Sequence, residues 1–135
     1  MFAFDQTDLD PPTATSDFDI HLTARLRIFD GDRVVFEEVF VAIIGLAAQW
    51  RRWLDEGVEA GEEFVYEDDS LTLGELFRFT AVGDGHWRVS SVYDSALALE
   101  MPGPDLVAGV EAALTSIRDE ASALLGADRA RPWLP

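Results

Sequence analysis

From Phe18 to Phe29 apolar and polar positions alternate without a break. Phe18, Ile20, Leu22, Ala24, Leu26 and Ile28 fall on one side, and Asp19, His21, Thr23, Arg25 and Arg27 on the other. A period of two over this length predicts a strand with one face buried and the other in water. Asp30-Gly31-Asp32 reads as a turn, and Arg33 to Val41 as the returning strand of a hairpin. A three-residue loop sets Ile28 opposite Val34, Leu26 opposite Phe36 and Leu22 opposite Phe40, with Arg25 opposite Glu37 on the outer face. A slip of one residue would set Leu26 against Glu37, so the pattern favours the first register.

The period then changes. Ile43, Leu46, Ala47, Trp50 and Leu54 recur at three and four, with Gln49, Arg52, Asp55 and Glu56 opposite, which predicts a helix that stops at Gly57. After the polar stretch from Glu59 to Glu63, Phe64-Val65-Tyr66 reads as a short strand. Leu71 to Thr80 and His86 to Asp94 then form a second hairpin around Gly83-Asp84-Gly85. Its core face carries Leu73, Phe77 and Phe79, facing Tyr93, Val89 and Trp87. Ala96 to Leu99 is a candidate for one more short strand. From Pro104, a residue tolerated in a first helical turn, Leu106, Val110, Ala113, Leu114, Ile117, Ala121 and Leu124 form one apolar stripe closed by Gly126.

The element order is therefore β-β-α-β-β-β-α with hairpin connections. It predicts an α+β two-layer sandwich, an antiparallel sheet of about five or six strands with two helices on one face. Leu22, Leu26, Trp50, Phe77, Trp87, Leu114 and Ile117 are the expected centre of its core. Residues 18–126 form the single expected domain. Residues 1–17, with Pro11-Pro12, read as a flexible lead-in in which Phe2 and Phe4 alternate as a short edge strand would. Residues 127–135 read as an irregular tail, with Trp133 either docked over an apolar patch or free to meet a partner.

Charge changes the picture more than composition does. The 135 residues include 26 acidic and 10 basic side chains, a net charge of −16, and every basic residue is arginine. That surface repels nucleic acid and anionic membranes and leaves few donors for a phosphorylated ligand. Without cysteine there are no disulfides, thiolate metal sites or cysteine nucleophiles, which fits a reducing cytosol. The start lacks the positive, then apolar, profile of a secretory signal. The longest apolar run, Val39 to Ala48, falls well short of the roughly 20 residues needed to span a bilayer. A soluble, cytoplasmic protein is expected, monomeric or weakly dimeric.

No catalytic constellation stands out. Asp17, Asp19 and His21 share a strand face at two-residue spacing, as oxygen and nitrogen metal ligands can, but no recognisable further ligand accompanies them. A solvated strand face accounts for them, and no metal or cofactor is expected. His21 and His86 have no identifiable nucleophile or orienting group. Glu67-Asp68-Asp69-Ser70 lacks the glycine and terminal glutamate of a calcium loop. It reads as a turn, or as a run of carboxylates offered to a basic partner. Four arginines, Arg25, Arg27, Arg78 and Arg88, are expected to share one open sheet surface. Either Glu37, Glu62, Glu63 and Glu75 neutralise them as surface pairs, or they form a protein-contact patch.

The segments Asp30-Gly31-Asp32-Arg33-Val34, Trp50-Arg51-Arg52-Trp53-Leu54, Phe64-Val65-Tyr66-Glu67 and Gly85-His86-Trp87-Arg88-Val89 resemble a group of small acidic actinobacterial domains with no assigned activity. The likeness spans roughly residues 18 to 94 and carries no functional residue over. In size, acidity and layout the chain is also similar, by class only, to immunity proteins that neutralise polymorphic toxins. The expected function is an acidic protein-binding module with a basic partner, in its narrower form an antidote to a basic toxin. In this reading Glu67, Asp68 and Asp69 steer the encounter, and Arg25, Arg27, Arg78 and Arg88 supply contacts. The alternatives are a small-ligand binder or enzyme with a pocket between sheet and helices, and a nucleic-acid mimic.

Overall fold

A computed structural model describes residues 1–9, 22–67, 75–94 and 97–125. Its strands are β1 (Phe2–Leu9), β2 (Leu22–Asp30), β3 (Arg33–Ala42), β4 (Phe64–Glu67), β5 (Glu75–Gly83), β6 (His86–Ser90) and β7 (Ala98–Pro102). Helix α1 (Ile43–Arg52) follows β3, and helix α2 (Gly103–Leu125) follows β7. The α+β class and the antiparallel pairing are as the sequence predicts. The strands divide between two sheets, ordered β1-β2-β3 and β4-β5-β6-β7, because β3 runs directly into α1 and β4 pairs with β5 instead.

The additional strand comes from the segment expected as a flexible lead-in. Phe2 to Leu9 lies antiparallel along β2, with Phe4 opposite Leu26 and Asp5 opposite Arg25. The alternation of Phe2 and Phe4 was its signal, and Phe4 is buried. The rest of that segment, together with Asp17, Asp19, His21, Asp68, Asp69, Trp133 and the tail, lies outside the described residues.

In β2 the alternation holds in full: Leu22, Ala24, Leu26 and Ile28 are buried and the residues between them are half-buried. Its pairing with β3 differs from the expected register. Asp30 pairs with Arg33 across a two-residue turn, and two irregularities each add a residue to β3. Ile28 therefore faces Phe36, and Leu26 faces Glu38. An extra residue on one strand bends it and raises its twist, which periodicity alone does not reveal. Arg25 still reaches Glu37, at 3.3 Å.

The second hairpin closes on Asp84 and Gly85, both with positive φ (52° and 74°), as the tight turn that matches strand twist requires. Phe79 faces Val89 and Ala81 faces Trp87. Tyr93, expected on the core face, lies beyond the end of β6 and is 42% exposed.

One apolar core joins both sheets and both helices. All seven residues expected at its centre are buried, from Leu22 and Leu26 to Leu114 and Ile117. Burial of each large side chain contributes about 1.5–3 kcal/mol. Trp50 of α1 sits at the junction. Its ring lies 5.0 Å from Phe2 on one sheet and stacks on Phe79 of the other at 6.4 Å, 15° from parallel.

Helix α1 does not end as a regular helix. Trp53–Gly57 form one π-helical turn in which the Val58 amide donates to the Trp53 carbonyl at 2.8 Å. The wider turn swings Trp53 against Trp87, edge to face at 5.3 Å, and lets its indole N–H donate to the Glu62 carbonyl at 2.9 Å. Gly57 is the expected stop, for a packing reason: a Cβ there would lie 2.9 Å from both Glu62 Oε2 and Trp53 Cδ1.

Candidate functional site

The four arginines singled out by the sequence fall two on each sheet, not on one surface. On the three-stranded sheet Asp5 of β1 is the hub. It accepts from Arg25 Nε at 2.7 Å, pairs again with Arg25 through the second guanidinium nitrogen, and accepts from Arg27 at 3.0 Å. The hydrogen bond from Arg25 is the main reason the Asp5 carboxyl is held below its ordinary value, and the same bond raises Arg25. Arg27 also lies over the Phe29 ring at 5.5 Å.

On the four-stranded sheet Arg78 is gripped by Glu75, with one bond at 2.6 Å, and reaches Glu63 at 3.3 Å. The hydrogen bonding to Glu75 is what chiefly raises Arg78. Arg88 forks onto Glu100 at 2.6 and 3.1 Å. Glu37, Glu63 and Glu75 thus act as the sequence suggested, Asp5 and Glu100 join them, and among the described residues Glu62 has no arginine partner. Arg33, Arg51 and Arg52 also lie beside carboxylates, at 3.5–3.7 Å.

A different place carries an open concavity. Between α1 and β4 runs a cleft of about 550 Å³. Ala48, Gln49 and Arg52 of α1 form one wall, and Val65 with three carboxylates, Glu62, Glu63 and Glu67, forms the other. Trp53 and Phe64, almost wholly buried, close the back. Glu63 is already engaged, accepting from Arg78 and from the Thr80 hydroxyl at 3.0 Å. Arg52 is tied loosely to Glu56 at 3.5 Å, and its side chain is 73% exposed. Glu62 and Glu67 have no cationic partner among the described residues.

Glu67 is the one member of the acidic loop that the structure describes, and it stands at the end of this cleft. Sequence reasoning assigned Gln49 and Arg52 to a solvated helix face and Glu62 to charge neutralisation, so the cleft itself was missed. Its only signal was the aromatic Trp53 at the end of the helical pattern, followed by a polar run and then the strand at Phe64. Among the described residues no three metal-ligating side chains converge. His86 is exposed, its Nδ1 3.1 Å from the Asp84 carbonyl oxygen. No described helix is long and apolar enough to cross a membrane.

The fold and cleft define a small α+β domain with a surface groove. The chain belongs to the family described as Domain of unknown function (DUF7878), which it matches over residues 1–121. No curated protein and no solved structure gives a match.

Proposed function

We propose that this chain is an acidic protein-binding module that works in the cytoplasm and takes a basic protein as its partner. The observation that carries the reading is the way charge is distributed. Seven arginines lie within 4 Å of carboxylates of the same chain, while the chain carries a net charge of −16 and Glu62 and Glu67, at a concave site, have no cationic partner among the described residues. Such a surface attracts a basic partner at long range and orients it. In this reading Glu67, with Asp68 and Asp69 beside it in sequence, steers the approach. Arg25, Arg27, Arg78 and Arg88, each already paired with a carboxylate of the chain, offer short-range contacts. The absence of cysteine suits a reducing compartment. An antidote to a basic toxin is the narrower form of the same reading, supported by acidity and size, and a toxin reading frame beside this one is what it requires.

The test is a partner captured from the native host, followed by binding kinetics across a salt series. The association rate should fall steeply as salt shortens the screening length from about 10 Å at 0.1 M, while dissociation changes little. An acidic partner, or a salt-independent association rate, would overturn the reading. A small-ligand role draws support from the cleft alone, whose volume lies within the roughly 300–1,000 Å³ of ligand sites. Thermal shifts in a metabolite panel separate the two.

A further inference from the structure

We infer that the cleft between α1 and β4 receives a cationic side chain, arginine or lysine, from a loop of the partner, an inference that rests on the protein-binding reading above. Charge complementarity selects this occupant. Three carboxylates and one guanidinium line the cleft. Two of the four are balanced from outside it, Glu63 by Arg78 and Arg52 by Glu56. Glu62 and Glu67 have no cationic partner among the described residues and line a space walled by protein on either side, where lines of field concentrate.

The rest of the lining suits a long basic side chain. The apolar back formed by Trp53 and Phe64 gives its aliphatic stem a surface to lie along while the charged head stays at the carboxylates. The amide oxygen of Gln49, on the opposite wall, is an acceptor for a remaining N–H. An anionic or apolar guest would have to strip water from Glu62 and Glu67 without replacing it. The cleft opens to solvent, as insertion from another protein's surface requires. Arg52 is the one lining charge that opposes this guest, and its weak tie to Glu56 leaves it free to move aside.

Blocked hexa-arginine and hexa-lysine peptides are the probes, titrated into the full chain at constant low salt and followed by NMR at the Gln49 side-chain amide and the Trp53 indole N–H. Both resonances should shift, and the tighter of the two peptides identifies the preferred head group. Glu62→Gln with Glu67→Gln should weaken binding about tenfold, as loss of two charge-assisted contacts does. Asp119→Asn with Glu120→Gln on α2 makes the same change in net charge away from the cleft and should weaken it less than about twofold. Arg52→Gln should tighten it. Equal losses from the two double variants, weaker binding with Arg52→Gln, or no shift at the two reporters would each overturn the assignment of the cleft. Those results leave the protein-binding reading standing if the captured partner is basic. An acidic captured partner removes that reading even if the peptides bind.

Discussion

The two sheets turn similar charge outward and different chemistry inward. On the three-stranded sheet the buried face is mostly aliphatic: Leu22, Ala24, Leu26, Ile28 and Val41, with Phe4 and Phe36 at its margins. The four-stranded sheet buries Phe64, Tyr66, Phe77, Phe79 and Trp87, whose rings meet one another and Trp50 and Trp53 of the intervening helix and turn at centroid distances between 5.0 and 6.4 Å. Aliphatic side chains fill space with little directional preference, whereas neighbouring rings are worth about 0.5–1.5 kcal/mol beyond their area when tilted or edge-on. The half of the core that carries the cleft is therefore the half in which orientation matters most.

The comparison breaks most visibly at Leu26. It is fully buried, so Leu26→Asp should abolish cooperative unfolding altogether by placing an unpaired charge in the core, as circular dichroism would show. Truncation to alanine grades the two halves: Trp50→Ala should cost about 3–5 kcal/mol and Leu26→Ala about 2–5 kcal/mol in denaturant titrations. A smaller loss for Trp50→Ala than for Leu26→Ala would mean that the aromatic half repacks more easily than its ring geometry implies. Gly57→Ala tests the same half by crowding. Its Cβ would press on Trp53 and Glu62, so a loss of about 1–3 kcal/mol is expected.

The outer faces differ in a finer way. Asp5 serves two arginines, whereas Arg88 and Glu100 form an exposed pair with side chains 47% and 48% accessible. Because the folded Asp5 carboxyl titrates below its ordinary value of 3.8, its contribution to stability is complete above that pH. It is lost as the pH falls through the lower folded value. Asp5→Asn should therefore flatten the acid limb of a stability-against-pH curve without altering it near neutrality in slope. Glu100→Gln should change stability by no more than about 1 kcal/mol at any salt concentration, since an exposed pair is screened and mobile. An equally flattened acid limb in Glu100→Gln would erase the distinction between the two faces.

What the sequence made legible follows from which forces act locally. Period-two burial in β2 and the α2 stripe from Leu106 to Ala121 could be read residue by residue, because each position faces either the core or water; Leu124, expected to continue the stripe, is 44% exposed near the helix end. The hairpin registers could not, since a two-residue turn in place of a three-residue one and an added residue near Val35 change every partner without changing the alternation. Strand β1 was half visible: Phe2 and Phe4 marked it, while Asp5 resembled part of a polar lead-in until Arg25 and Arg27 supplied its counterparts. The cleft was the least legible. It arises because the π turn redirects the chain between Trp53 and Glu62, and no residue pattern announces a wider helical turn.

The placement of the indoles has an optical consequence. Trp50, Trp53 and Trp87 all lie at the helix and four-stranded-sheet junction, and β1, β2 and β3 contain no tryptophan or tyrosine. Among the described residues, near-ultraviolet absorption and emission therefore report mainly on the four-stranded half and on the junction at Trp50. Trp53 and Trp87, with ring planes at 89° and centroids 5.3 Å apart, are near enough for their excited states to mix, which produces a paired circular-dichroism band that vanishes once they separate. Monitoring that band beside the amide signal of the whole backbone shows, without any label, whether the two sheets melt together or one after the other.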